Sequence, residues 1–361
     1  MSKPKVFVFS PVLRMGETYN SYNMLVDAGC EVVYGKASWL TPQGNNEDEM
    51  CEMAKGADAL TGGTIRSTPI SARIMKITPE LRIVAKASIG VEDVDVEAAT
   101  EMGILVTHAP TESNWSGVAE GTVAILLALL KKIRERDEAV KQGKWREPFL
   151  QGIYVGRQQG GYAGLTIGIV GLGRIGRRFA DLMAPWRVRI LACDPYVEES
   201  RFILCNAERV DLQTLLRESD VVSLHVVLTR ETRQMIGAEE FALMKQGAVL
   251  INTSRGQVVN EKALVEALQS DHLTAAGLDV FVDEPLRADS PLLKMGHKVL
   301  LSPHMASSNL DNGLKQGIVW ANRAVLAALN GEVPEHVYNK AVIPKWLERF
   351  GGNKVFGGNK V

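Results

Sequence analysis

Hydrophobic and polar positions along the chain switch repeatedly between two periods. Short runs rich in Val, Ile, Leu and Ala lie at Lys5–Ser10, Glu31–Tyr34, Ala57–Leu60, Leu81–Ala85 and Ile104–Thr107. Runs of this length without polar alternation read as strands covered on both faces. Between them come helix-period stretches ending at Ala28 and at Glu47–Lys55, Ser71–Ile77 and Val94–Met102. Strands alternating with helices predict a parallel sheet sandwiched by helices. From Gly117 to about Glu138 the pattern reads as one long amphipathic helix, with Val123, Leu126, Leu127, Leu130 and Ile133 on its buried side. Lys141 to Ala163 is glycine-rich and aromatic (Trp145, Phe149, Tyr154, Tyr162) and reads as an arm laid against a neighbour.

A second series of apolar runs follows at Thr166–Val170, Val188–Cys193, Val221–His225, Ala248–Asn252, Ala275–Asp279 and Val299–Leu301. Six parallel strands with intervening helices suit a doubly wound sheet. Ser308–Asn330, with Ile318, Val325, Leu326 and Leu329, reads as a long helix returning the chain to the first region. The expected organisation is therefore α/β throughout. A first domain covers residues 1–112, completed by about 308–345, and a second covers 113–307. A flexible tail is expected over 346–361, where Phe350-Gly351-Gly352-Asn353-Lys354-Val355 recurs as Phe356–Val361.

Composition narrows the function. The chain has 361 residues, 46% of them apolar, and a formal net charge of −1, so it can bury two cores and offers no basic field for nucleic acid or an anionic membrane. The longest central apolar run, Val123–Leu130, is too short to span a bilayer, and the N-terminus lacks a signal-peptide pattern. Cys30, Cys51, Cys193 and Cys205 show no C-x-x-C spacing, which reads as reduced thiols in a cytoplasmic protein. No His/Cys/Asp/Glu cluster has metal-ligand spacing, so no metal is expected.

The most informative stretch is Thr166–Asp194. A strand-like run leads into Gly171-Leu172-Gly173-Arg174-Ile175-Gly176, a helical run follows, and a second strand ends in Asp194. G-x-G-x-x-G alone is weak evidence in a chain with 33 glycines, but in this strand–helix–strand setting it is the dinucleotide fingerprint. Gly171 would permit the tight turn, Gly173 the approach of a pyrophosphate and Gly176 close packing of helix on strand. The helix start at Arg174 and Ile175 would offer amide N–H groups to phosphate, and Asp194 would accept from the adenosine ribose hydroxyls. The implied cofactor is NAD, because Asp194 would repel a 2′-phosphate.

Three further motifs end strands of the second series: Asn252-Thr253-Ser254-Arg255-Gly256, Asp279-Val280-Phe281-Val282-Asp283-Glu284-Pro285 and Ser302-Pro303-His304-Met305-Ala306. Taken in order, they and the glycine loop resemble the D-isomer-specific 2-hydroxyacid dehydrogenases over roughly residues 5–335. The resemblance implies a Rossmann-type domain plus a smaller flavodoxin-like substrate domain. It implies a catalytic set of Arg255, Glu284 and His304, with Thr253, Arg255, Asp279 and His304 also near the cofactor. The residue types suit the reaction: arginine clamps oxygens through a planar fork, histidine exchanges a proton near neutrality, and a carboxylate orients it. In the first domain Ser88-Ile89-Gly90-Val91-Glu92-Asp93-Val94-Asp95 resembles the family's substrate loop, whose amides at Ile89 and Gly90 would hold the substrate carboxylate together with Arg255, with His304 also substrate-binding as the group that exchanges the oxygen's proton.

The departures from the family pattern are Ser88, Glu92 and Asp93 in that loop, His108 for asparagine, Val227 for proline and Asn260 for aspartate. Trp115 and Met305 are candidates for the wall of the side-chain pocket. The expectation is an NAD-dependent oxidoreductase interconverting a 2-oxo acid and a D-2-hydroxy acid, acting as a homodimer. Two alternatives stay open: an NAD(H)-sensing interaction module of the same fold, and a related formate- or phosphite-type dehydrogenase.

Overall fold

A computed structural model of the protein describes residues 3–11, 19–36, 44–64, 68–309 and 315–355. The chain forms two compact units, one from residues 1–114 and 309–361, the other from 115–308. The first contains β1 (Lys5–Ser10), β2 (Glu31–Tyr34), β3 (Ala59–Gly62), β4 (Ile83–Lys86) and β5 (Leu105–Thr107). These strands pair in parallel in the order β2-β1-β3-β4-β5, with Lys5 opposite Glu31 and Ile83 opposite Leu105. This is the flavodoxin-like order. Both faces are covered. Tyr22, Leu25, Ile318, Val325, Leu329 and Trp346 lie on one side, and Met50, Ile70, Ile74, Leu81 and Ala99 on the other. Side-chain caps start the covering helices, as where Asn46 and Glu49 close a capping box before Glu47–Ala54.

The second unit holds β6 (Thr166–Val170), β7 (Arg189–Cys193), β8 (Glu208–Arg209), β9 (Val221–Leu224), β10 (Ala248–Asn252), β11 (Leu273–Leu278) and β12 (Val299–Leu301). The order is β12-β11-β10-β9-β6-β7-β8, all parallel. The order reverses between β6 and β9, the place where a doubly wound sheet opens a crevice for a ligand. The sheet has seven strands where the sequence pattern shows six. The addition is β8, two exposed edge residues with no apolar run to announce them. The helices Glu112–Leu130 and Arg174–Met183 cover one face, and Leu212–Glu218, Ala238–Leu243 and Glu261–Gln269 the other.

The expected long helix from Gly117 to Glu138 is two helices, Glu112–Leu130 and Ile133–Lys141, separated by Lys132 at φ 54°. The break has a non-local cause. The carbonyl of Leu130, which would accept from Arg134 in a continuous helix, instead accepts from the amide of Ile153 at 2.8 Å, in the arm. Arg134 turns its guanidinium to the carbonyl of Val299 at 2.8 Å. Ile133 is accordingly exposed, and the buried stripe runs through Ile125, Leu126, Leu129 and Leu130 with Val123 and Leu127 partly covered. The helix Glu112–Leu130 is long and apolar enough by composition to cross a membrane; here that stripe packs into the core of the second unit.

The flexible tail expected from residue 346 is corrected as well. Ile343–Phe350 is a helix whose Trp346 is fully buried and donates its indole N–H to the carbonyl of Arg82 at 2.9 Å. The chain stays docked through Val355, whose amide donates to the Leu329 carbonyl at 2.9 Å. Trp346 and Phe350, one helical turn apart, are the apolar signal that outweighs the glycines after them. The second copy of the repeated hexapeptide, 356–361, lies outside the described residues, as do 12–18 of the expected first helix and 310–314 at the start of the returning one.

His225, just beyond β9, is buried beside Phe179, and its Nε2 lies 2.9 Å from the hydroxyl of Ser223. Burial pushes its pKa down to about 3. An unfolded chain takes up a proton there near pH 6.5 while the folded chain does not, so stability falls as pH drops from about 6.5 towards 3. Urea denaturation across that range should show about 1.4 kcal/mol lost per pH unit from this one group, a slope that His225→Gln removes.

Candidate active site

The glycine loop and the three charged residues of the candidate site lie beyond the carboxyl ends of strands in the second unit. The glycine loop follows β6. Gly171 sits at φ +94°, and a Cβ there would meet the His225 carbonyl oxygen at 2.8 Å. A Cβ at Gly176 would lie 2.1 Å from the carbonyl oxygen of Gly171. These two glycines let the helix Arg174–Met183 start directly against the strand. Gly173 differs: a Cβ would find nothing within 4 Å. It caps the helix without a side-chain hydrogen bond, so the first-turn amides around the exposed Arg174 and half-buried Ile175 are left for an anion. Open space over uncapped amides suits a pyrophosphate. Asp194, ending β7, accepts from the amide of Leu172 at 2.8 Å and from that of Tyr196 at 3.0 Å. Its carboxylate thus fixes the glycine loop.

The three charged residues come from three neighbouring strands. Arg255 follows β10 through a tight turn in which the amide and hydroxyl of Ser254 both donate to Asn252 Oδ1, at 3.0 and 2.7 Å. Asn252 Nδ2 donates to the Arg255 carbonyl at 2.9 Å, and Arg255 Nη1 to the Ser254 carbonyl at 2.7 Å. Thr253 is buried and its hydroxyl lies 2.9 Å from that of Thr122, in the helix Glu112–Leu130. Glu284 lies in the loop after β11, where its Oε1 accepts from the Phe281 amide at 3.1 Å and its Oε2 from His304 Nδ1 at 2.8 Å. His304, after β12, keeps about a third of its side chain exposed and Glu284 about a fifth, at 32% and 19%.

His304 occupies the left-handed backbone region at φ 56°, a conformation costing a non-glycine residue about 1–2 kcal/mol. Two hydrogen bonds hold it there: Asp279 Oδ1 accepts from the Met305 amide at 2.9 Å and Oδ2 from the Ala306 amide at 3.0 Å. Asp279 is 2% exposed. Sequence reasoning placed Asp279 and Thr253 at the cofactor; in this structure their side chains fasten the loops that carry His304 and Arg255. Two glycines that it passed over set the spacing. A Cβ at Gly256 would lie 1.9 Å from the Phe281 carbonyl carbon, and one at Gly121 would lie 2.6 Å from the Ala306 carbonyl oxygen. Glycine followed by an apolar strand partner carries no signal for such contacts.

With Nδ1 donating to Glu284, Nε2 of His304 is the nitrogen left to face a reactant. As imidazolium it donates a proton there, and as neutral imidazole it accepts one. Asn260 accepts from the Ala263 amide at 3.0 Å, so it caps Glu261–Gln269 as an aspartate would. Met305 is half-exposed and Trp115 half-buried. In the first unit, the amides of Ile89 and Gly90 have no acceptor among the described residues, the Ile89 carbonyl lies 3.3 Å from His108 Nδ1, and the Ser88 carbonyl accepts from the Ala109 amide at 2.9 Å.

Comparison with known proteins places the chain in a family. The profile of the "D-isomer specific 2-hydroxyacid dehydrogenase, NAD binding domain" matches residues 123–306. A glyoxylate reductase of Korarchaeum cryptofilum is 36% identical over 344 residues, covering 94% of this chain and 97% of that one. Among solved structures, the TT0316 protein of Thermus thermophilus superposes with a TM-score of 0.80 at 31% identity, covering 92% of this chain and 99% of that one. A D-lactate dehydrogenase of Aquifex aeolicus, complexed with NAD and lactic acid, gives 0.74 at 27% identity, covering 98% of this chain and all (100%) of that one.

The glycine geometry separates folding from binding. Gly256→Ala forces backbone apart and should lower stability by about 1–3 kcal/mol in urea denaturation. Gly173→Ala should stay within about 1 kcal/mol of the parent, yet weaken NADH binding in a fluorescence titration. Parental NADH affinity in Gly173→Ala would remove the pyrophosphate from that loop.

Proposed function

The chain belongs to the D-isomer-specific 2-hydroxyacid dehydrogenases and is an NAD-dependent oxidoreductase of 2-hydroxy acids, and on that footing we propose that its working direction is reduction of a small 2-oxo acid such as glyoxylate. The observation that carries the reading is the 2.8 Å contact between Glu284 Oε2 and His304 Nδ1, held in a backbone conformation that Asp279 enforces. NADH held at the glycine loop supplies the hydride. His304 gives a proton from Nε2 to the carbonyl oxygen, and in the reverse direction takes it from the hydroxyl. Glu284 holds the ring in the orientation that keeps Nε2 on the substrate side. Arg255, permanently cationic, binds the oxo-acid oxygens and polarises the carbonyl. In the first unit, the amides of Ile89 and Gly90 bind the substrate carboxylate. Asp194 favours NAD(H) over NADP(H), because a 2′-phosphate beside it meets like charge and offers no hydroxyl to donate. The four unpaired cysteines agree with a cytoplasmic setting.

A panel of glyoxylate, pyruvate, hydroxypyruvate and phenylpyruvate with NADH and NADPH tests the reading; turnover of none would leave an NAD(H)-binding module instead. On the best substrate, His304→Ala and Arg255→Ala should each lower kcat/KM at least about a hundredfold. Glu284→Gln, which retains an acceptor for Nδ1, should lose less than Glu284→Ala; equal losses would mean that orientation of the ring is not what Glu284 provides.

The same reading includes a homodimer. Trp145, Phe149, Ile153 and Tyr154 of the arm are each more than 40% exposed, at 72%, 56%, 42% and 55%, and large apolar side chains grouped this way mark an interaction surface. Light scattering at micromolar concentration should give twice the chain mass, and Trp145→Asp with Phe149→Asp should give the monomer. A monomeric parent would overturn the dimer.

A further inference from the structure

The loop assigned to the substrate carboxylate carries an acid, Asp93, where the family pattern has asparagine. The structure gives that acid a partner that the sequence does not advertise. Lys86, the last residue of β4, is completely buried, and its ammonium forms an ion pair with Asp93 Oδ2. The side chain of Asp93 is itself 9% exposed. The Lys86 ammonium also donates to the carbonyl of Gly63 at 2.7 Å and lies 5.4 Å from the ring centroid of Phe9. A Cβ at Gly62 would lie 2.8 Å from that ring, so glycine there is what admits the Phe9 ring to this place. A lysine removed from water this completely is tolerated only when its protons are taken up by good acceptors. A carboxylate, a carbonyl and an aromatic face provide them, and they come from the loop itself and from the carboxyl ends of β3 and β1.

The loop is thus tied at its start, its end and across its span. The Ser88 carbonyl accepts from Ala109 N–H at 2.9 Å, and the Asp93 carbonyl accepts from Ile70 N–H at 2.8 Å. Lys86 and Asp93 join the two ends, with Ile89 and Gly90 between them. We infer that the Lys86–Asp93 ion pair is a positioning pair, which closes the 88–93 loop so that the amides of Ile89 and Gly90 hold one geometry for the substrate carboxylate. This rests on the assignment of those amides made above. Lys86 itself is no substrate cation: it is sealed from solvent, and its charge is spent on the loop.

A buried pair that serves stability alone and one that positions a loop respond differently when both charges are removed. Replacing both partners spares the fold the cost of one orphaned charge but also removes the tie. The experiment compares Lys86→Met/Asp93→Asn, Asp93→Asn and Asp93→Glu with the parent in the full-length protein. Thermal unfolding, NADH titration, steady-state kinetics with glyoxylate, and hydrogen exchange of residues 87–94 by mass spectrometry are the readouts. The double variant should melt near the parent and bind NADH alike. Its loop should exchange at least about tenfold faster, and its KM should rise about tenfold with kcat within about threefold, the signature of lost uniform binding. Asp93→Glu, which keeps the charge, should stay near the parent in both. A folded double variant with parental exchange and parental KM overturns the inference. Should the double variant not fold, Asp93→Glu decides, since a KM raised as far as in Asp93→Asn would show that the ion pair is not the tie. A parent that turns over no 2-oxo acid overturns the substrate assignment instead, and the exchange data then decide by themselves whether the pair fixes the loop.

Discussion

The chemistry of the second unit depends on a carboxylate that faces the protein. Asp279 ends β11 with its side chain buried, and its two oxygens take the two amides that follow His304. A histidine in the left-handed region would relax if nothing opposed it. Two charge-assisted hydrogen bonds, at about 1.5–3 kcal/mol each, exceed the roughly 1–2 kcal/mol that the conformation costs. The imidazole is therefore presented by backbone geometry first and by Glu284 second. The pairing at 2.8 Å is then a contact between two rigid loops, which is what proton transfer in a fixed direction demands.

The loops are rigid because they lean on each other. Gly256 places the Arg255 turn in contact with the Phe281 backbone, three residues before Glu284, and Gly121 brings the helix Glu112–Leu130 against the residues after His304. On the same helix, Thr122 meets Thr253 beside Arg255. One long helix thus touches the loops of both the arginine and the histidine, while the arginine loop touches that of the glutamate. The glycine loop, across the reversal in strand order, is fixed by Asp194 and by the close approach to His225. Glycine loop and charged residues are therefore positioned by one sheet.

Much of this was legible in the sequence, for reasons that also mark the limit. Strand–helix alternation gave both parallel sheets, because strands buried on two faces must be apolar throughout. Arg255, Glu284 and His304 were assigned through the family resemblance of the three motifs that follow apolar runs, and the structure places them beyond adjacent strands. The failures have a common physical origin. The helix break at Lys132 is made by Ile153, and the docking of Trp346 by the carbonyl of Arg82. Both are contacts between segments far apart in sequence, which periodicity cannot see. The glycines at 121 and 256 were missed for the same reason. A missing side chain reveals nothing of the backbone that will approach it.

Lys86 and Asp93 show how a departure from a pattern can be read physically. Taken singly, an acid in a loop that should receive a carboxylate looks harmful, since like charges repel. The repulsion depends on where the charge goes. Asp93 is turned inward onto a lysine that pairs with no other anion among the described residues, so the pair is close to neutral as seen from the loop's outer side. The loop also offers backbone there: amide dipoles at Ile89 and Gly90, with no acceptor of their own among the described residues. An asparagine at 93 would leave the lysine without the carboxylate that it pairs with here.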